Sequence, residues 1–185
     1  MGTRSFVALP LPDAYQRALP EIVSAWGSAL RSKLTWTKEG NWHVTLSFLG
    51  ELGPEMLASV QEALRSVSVS RFVLQASGGG FFPPGKNPRV IWVGLSQGAE
   101  ECTQLAHKIE QALHPLGFPP SSRPFRPHLT LARVKHSRPD DWSQVLKGLQ
   151  KREWPAFEVE QFVLYASRLT PQGPVYRVLE EYPLQ

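Results

Sequence analysis

The chain has 185 residues, 42% of them hydrophobic, which suits one compact domain or two small lobes sharing an interface. A formal net charge of +4 is modest: it fits an anionic partner such as a nucleotide, RNA or a membrane surface, and equally an ordinary charged surface. A single cysteine, Cys102, excludes an intramolecular disulfide and any cysteine-based zinc cluster. The opening M-G-T-R-S-F-V-A-L-P is too short an apolar run for a signal sequence, and no run nears the ~20 residues of a membrane span. A soluble cytoplasmic protein without membrane association is expected.

In chain order, R-S-F-V-A-L (4–9) predicts a strand. Leu19, Ile22/Val23, Trp26 and Leu30 recur at helical spacing within 13–30, where Asp13 can cap and Pro20 starts a new turn or kinks the segment. N-W-H-V-T-L-S-F-L-G (41–50) predicts a second strand, and G-P-E opens a helix near 54–67. Phe72 and Leu74 mark a further strand, and G-G-G-F-F-P-P-G-K-N-P (78–88) reads as a loop. R-V-I-W-V-G (89–94) is strand-like, and 98–113 carries Cys102, Leu105, Ile109 and Leu113 on one helical face. A stretch with five prolines (114–127) leads into the strand R-P-H-L-T-L-A-R-V (126–134). A helix near 139–150, strands around 157–159 and beyond, and a T-P-Q-G-P turn (170–174) complete the chain.

The order repeats. His43 and His128 are 85 residues apart, and the same shift lays Arg4 on Arg89, Pro54 on Pro139, and Leu57, Val60 and Leu64 on Trp142, Val145 and Leu149. Each half reads strand, helix, His-x-Thr strand, helix, strands. The expected fold is α+β and bilobal: one domain over 1–185, two pseudo-two-fold-related lobes, each a mainly antiparallel sheet with helices on its outer face, and a cleft between them.

Residues i and i+2 of a strand share a face, so His43 stands beside Thr45 and His128 beside Thr130, while Val44, Leu46, Leu129 and Leu131 face the core. Two lobes related by a two-fold axis would aim both imidazole–hydroxyl couples into one space. Imidazoles with pKa ~6.5 suit paired acid and base work at neutral pH. The hydroxyls can donate to the non-bridging oxygens of a phosphoryl centre, and opposed groups suit in-line displacement at phosphorus without a metal. Zinc is the rival use of two histidines, but no third ligand is evident; Glu39, Glu51 and Asp140 fall off the strand-face pattern. His107, His114 and His136 read as surface or structural residues.

The halves differ at one telling place: Phe48 falls on Arg133. A cation there can grip phosphate and a ring can stack on a base. Both residues, however, are out of phase with their His and Thr, and core packing explains Phe48 as well. Arg123, Arg126, Lys135, Arg138 and Lys86 give the loops near the second motif a basic character, fit for an RNA backbone or for plain solvation. Trp42 and Phe125 are core or rim.

N-W-H-V-T-L-S-F-L-G and R-P-H-L-T-L-A-R resemble the paired motifs of the two-histidine (2H) phosphoesterases, and in particular the RNA 2′,3′-cyclic phosphodiesterases, also called LigT-like or 2′-5′ RNA ligases. The opening R-S-F-V-A-L-P-L-P, the 81–95 segment and L-Y-A-S-R-L…G-P-V-Y (164–176) extend the resemblance over nearly the whole chain. It implies metal-independent opening of a terminal 2′,3′-cyclic phosphate to a 2′-phosphate, without cofactor, by a monomer acting on RNA ends or cyclic nucleotides. By motif position His43 would be the acid protonating O3′ and His128 would orient or deprotonate water. Thr45, Thr130 and Arg133 would bind phosphate, and Phe48 would stack on the terminal base. Reverse 2′-5′ ligation is a secondary activity, since water outcompetes a 5′-hydroxyl unless two ends are held together. A non-catalytic RNA-end-binding module and a metal-dependent phosphatase or nuclease are the competing readings.

Overall fold

Apolar residues at two- and four-residue spacing lead to strands and helices much as their periods require. A computed structural model describes residues 2–85, 87–171 and 173–185. Strand β1 (Thr3–Pro10) is followed by helix α1 (Asp13–Gly27), which buries Tyr15, Ala18, Leu19 and Ile22. Pro12, extended, occupies the N-cap position, so Asp13 lies in the first turn rather than capping, and the helix runs through Pro20. β2 (Lys33–Trp36), β3 (His43–Leu52), α2 (Pro54–Arg65), β4 (Phe72–Phe82) and β5 (Val90–Gln97) follow. α3 (Ala99–Leu113), with Cys102, Leu105, Ile109 and Leu113 buried, precedes β6 (Leu129–His136) and α4 (Trp142–Lys151). β7 (Phe157–Val159), β8 (Gln161–Thr170) and β9 (Gly173–Pro183) end the chain. Lys86 and the turn residue Gln172 lie outside the described residues.

Other expectations change as well. Gly78–Phe82 is the end of β4, not a loop. Gly79 and Gly80 are there for close approach: a Cβ on Gly79 would overlap the Trp92 carbonyl, and one on Gly80 the ring of Trp92, which lies across it. The four-residue β2 carries too short a pattern to be seen in sequence, and it exists by pairing with β6.

All strands pair antiparallel, in the order β7-β4-β5-β6-β3-β1-β8-β9, with β2 on the remaining edge of β6. Two lobes result, β3-β1-β8-β9 and β6-β5-β4-β7 with β2. They are not the sequence halves: β4 from the first half lies in the second lobe, and β8 and β9 from the second half lie in the first. The lobes meet between β3 and β6 through the single register pair Val44↔Leu129. At the other end, β4 and β7 pair through Phe72↔Val159, Val73↔Glu158 and Leu74↔Phe157. Val44 and Leu129, and Val73 and Glu158, are each 85 residues apart. A residue pairing with its own repeat equivalent lies on a two-fold axis, so these two pairs mark the axis of the duplication.

One buried cluster runs through both lobes, from Val7, Leu9 and Val44 to Ile91, Val93, Leu129 and Leu149. α3 lies against β3 and β5, and α4 against β4. Tyr15, fully buried, ties α1 to the second lobe: its hydroxyl donates to Pro155 O (2.8 Å) and accepts from Ala76 N (3.0 Å).

Candidate active site

The two motifs meet on the axis. Carried one residue each way, the Val44↔Leu129 register sets His43 across from Thr130 and Thr45 across from His128, all on the face opposite the buried Val44 and Leu129. The imidazoles sense each other, since the charge on His128 lowers the pKa of His43.

Each ring is oriented by the backbone two residues before it. His43 Nδ1 donates to Asn41 O (2.8 Å) and His128 Nδ1 to Arg126 O (2.7 Å). A carbonyl accepts only, so both neutral rings carry the proton on Nδ1 and leave the Nε2 lone pair free. His43 Nε2 is 3.0 Å from Thr45 Oγ1, which donates to it. His128 Nε2 and the Thr130 hydroxyl have no hydrogen-bond partner among the described residues. Burial pushes the pKa of His43 down to about 4, against the Asn41 bond, and His128 lowers it further. His128 is also lowered, by burial, against the Arg126 bond, and then by Arg133.

Phe48 and Arg133 reach this face through a matched pair of β-bulges. Thr45 pairs with Ala8, but Ser47 pairs with Val7 and Phe48 with Phe6, so Leu46 is an unpaired residue. Thr130 pairs with Trp92, but Ala132 pairs with Ile91 and Arg133 with Val90, so Leu131 is likewise unpaired. Each bulge shifts the strand's phase by one and swings residues 48 and 133 to the side of the histidines. Phe48 is 70% exposed, which excludes core packing. Trp42, by contrast, is buried, and Phe125 packs on the core. Glu39, His107, His114 and His136 are exposed, as are Arg123, Arg126, Lys135 and Arg138 around the second motif.

Aromatic side chains wall each histidine, and the motif pattern did not single them out. Around His43 stand Phe6 (ring centroids 4.9 Å) and, edge-on, Tyr176 (5.4 Å). Phe6 in turn stacks on Tyr165 (5.2 Å) and neighbours Phe48 (6.2 Å). Around His128 stand Phe82 (5.1 Å) and Trp92 (6.3 Å), stacked on each other. Burial raises the pKa of the Tyr176 hydroxyl, opposed by Arg133 and Arg4, which puts this phenol among the cations of the cleft. The signal in sequence was alternation: Phe6 lies in the first strand of the repeat, and Tyr165 and Tyr176 in the last two. A pocket of about 220 Å³ opens beside His43, bounded by Pro10, Leu11, Asn41, Tyr165 and Tyr176. Among the described residues no three His, Cys, Asp or Glu side chains gather as a metal-binding group. The side chains gathered on this face are thus two imidazoles, two hydroxyls and a guanidinium in an aromatic setting.

The chain matches the family model described as LigT like phosphoesterase in two consecutive blocks, residues 9–92 and 93–176. A curated relative from Archaeoglobus fulgidus, named RNA 2′,3′-cyclic phosphodiesterase, is 34% identical over 97% of this chain and 99% of its own. Another of that name, from Aeropyrum pernix, is 37% identical over 78% of this chain and 82% of its own. Among solved structures, a protein of Thermus thermophilus superposes with TM-score 0.80 at 30% identity, covering 97% of both chains. E. coli LigT complexed with 3′-AMP superposes with TM-score 0.78 at 25% identity, covering 100% of this chain and 99% of that one.

Proposed function

The chain belongs to the LigT-like phosphoesterase family, and on that premise we propose that it opens the 2′,3′-cyclic phosphate at an RNA 3′ end, or on a nucleotide, to a 2′-phosphate. The observation that carries this reading is the pair of Nδ1-anchored imidazoles astride the duplication axis, each leaving Nε2 for proton transfer.

In this reading a water loses its proton to Nε2 of His128 as its oxygen bonds to phosphorus. The P–O3′ bond breaks, and His43 Nε2–H protonates O3′, leaving a 3′-hydroxyl and a 2′-phosphate. Thr45 and Thr130 donate to the non-bridging oxygens and Arg133 balances their charge. Phe48, exposed beside the couple, stacks on the terminal base. Chain residues alone supply these steps, so no metal or cofactor enters. His43 is neutral in the open cleft, and the phosphate anion raises its pKa on arrival, so the ring takes up the acid's proton from solvent as substrate binds. The same geometry runs backwards with a 5′-hydroxyl in place of water, as a minor 2′-5′ ligation. The protein acts as one domain and needs no second copy, each chain holding a whole site.

The test is incubation of the purified protein with 2′,3′-cyclic AMP in excess EDTA. Conversion to 2′-AMP is expected, and His43→Ala or His128→Ala is expected to lose about 10²–10⁴-fold in kcat with the fold retained. Dependence on added metal, a 3′-phosphate product, or full activity in either variant would overturn the reading. An RNA-end-binding module would bind without turnover.

A further inference from the structure

A site built on a two-fold axis offers a polyanion two equivalent ways out, and the side chains along the two motif strands must break the tie. β6 leaves the site as Arg133-Val134-Lys135-His136 and β3 as Phe48-Leu49-Gly50-Glu51, at equivalent repeat positions. Only β6 has a further strand alongside: Thr35 of β2 pairs with Arg133, Leu34 with Val134, and Lys33 with His136, leaving Lys135 in a bulge. The repeat equivalents of β2, residues 118–121, form no strand.

Leu34 and Val134 pack on the core, so Arg133, Thr35, Lys33 and His136 face the other way, on the side of Thr130. All four are exposed, as is Lys135. Successive same-face rows of a strand are about 6.8 Å apart, close to the step between phosphates of an extended single strand. Arg133, Lys135 and Lys33 form no ion pair among the described residues. The acids that follow are engaged elsewhere: Asp140 accepts from the N–H groups of Arg31 and Ser32, and Asp141 from that of Ser143. The equivalent ground on β3 holds one cation, Arg4, across from one acid, Glu51.

We propose that the RNA strand leading to the cyclic end lies along β6 and β2, the cyclic phosphate staying with Arg133 and two preceding phosphates lying on Lys135 and Lys33, so that these two lysines hold a chain end and do nothing for a free cyclic nucleotide. A 2′,3′-cyclic phosphate closes a 3′ terminus, so chain extends from one side of it only, and a one-sided cationic track matches. The proposal rests on the phosphodiesterase reading of the cleft.

The test compares wild type and Lys33→Glu/Lys135→Glu on a pentaribonucleotide ending in 2′,3′-cyclic phosphate and on 2′,3′-cyclic AMP. If two phosphates are neutralised, wild-type kcat/KM on the pentanucleotide falls about sevenfold between 50 and 200 mM salt, and cyclic AMP turnover barely responds. The double variant is expected to lose about tenfold on the pentanucleotide at 50 mM salt, to lose its salt dependence, and to match wild type on cyclic AMP, which also reports an intact fold. Unchanged pentanucleotide turnover, equal loss on both substrates, or a pentanucleotide-specific loss in Arg4→Glu instead would overturn the track while leaving the phosphodiesterase reading intact. No turnover of either substrate by wild type would overturn both.

Discussion

His43 is held by two bonds of opposite sense: Nδ1 gives a proton to Asn41 O and Nε2 takes one from the Thr45 hydroxyl. That arrangement suits the neutral ring, and burial, which drives its pKa down to about 4, agrees with it. An unfolded histidine titrates near 6.5, so between pH 6.5 and about 4 the unfolded chain binds more protons than the folded one. Stability from this source is full above pH 6.5 and is lost as pH falls through that window, by about 3 kcal/mol for His43 alone. Urea melts across pH 4–7 are expected to show the loss, and His43→Gln to flatten it. Catalysis carries the same signature. kcat/KM reports the free enzyme, so its optimum is expected on the acid side of 6.5, whereas kcat, read with phosphate bound, extends to higher pH. A kcat/KM optimum above pH 7 would contradict the protonation scheme. Phe48→Ala, which removes a ring that contributes little to the core, is expected to weaken nucleotide binding by about 1–3 kcal/mol with the melting temperature unchanged.

At the scale of elements, the glycines of β4 and the bulges of β3 and β6 set the site. Gly80→Ala is expected to displace Trp92 and, through it, loosen the wall beside His128, lowering kcat more than it raises KM. Gly98, ahead of α3, has φ +82° and would place a Cβ 2.6 Å from Val73 O; Gly98→Ala is expected to cost about 2 kcal/mol in denaturant unfolding. The strands and helices were legible because their apolar periods are regular, and His43, Thr45, His128 and Thr130 because a polar couple recurs at one spacing. The bulges were not: alternation assumes one residue per rung, and nothing in V-T-L-S-F or L-T-L-A-R announces that Leu46 and Leu131 drop out of the ladder. β2 was hidden because four residues define no period, and the G-G-G end of β4 because glycine usually weakens a strand. Tyr165 and Tyr176 lie over 120 residues beyond His43 in sequence, brought to it only by the β1–β8–β9 pairing.

For the molecule as a whole, exchange of strands between sequence halves makes each lobe depend on both. β4 lies between β5 and β7 of the other half, and Tyr15 of α1 bonds Pro155 and Ala76. Calorimetry is expected to give one transition with equal van't Hoff and calorimetric enthalpies, and residues 1–85 expressed alone are expected not to fold. Two separate transitions would show lobes that stand independently. The rungs at Val44–Leu129 and Val73–Glu158 carry a last implication. A chain of half this length meeting its own copy at those two spots would enclose the identical groove, with interchangeable ends. Joining the copies into one polypeptide frees position 48 to become a ring while its twin, 133, becomes a guanidinium, so that the groove acquires a front and a back.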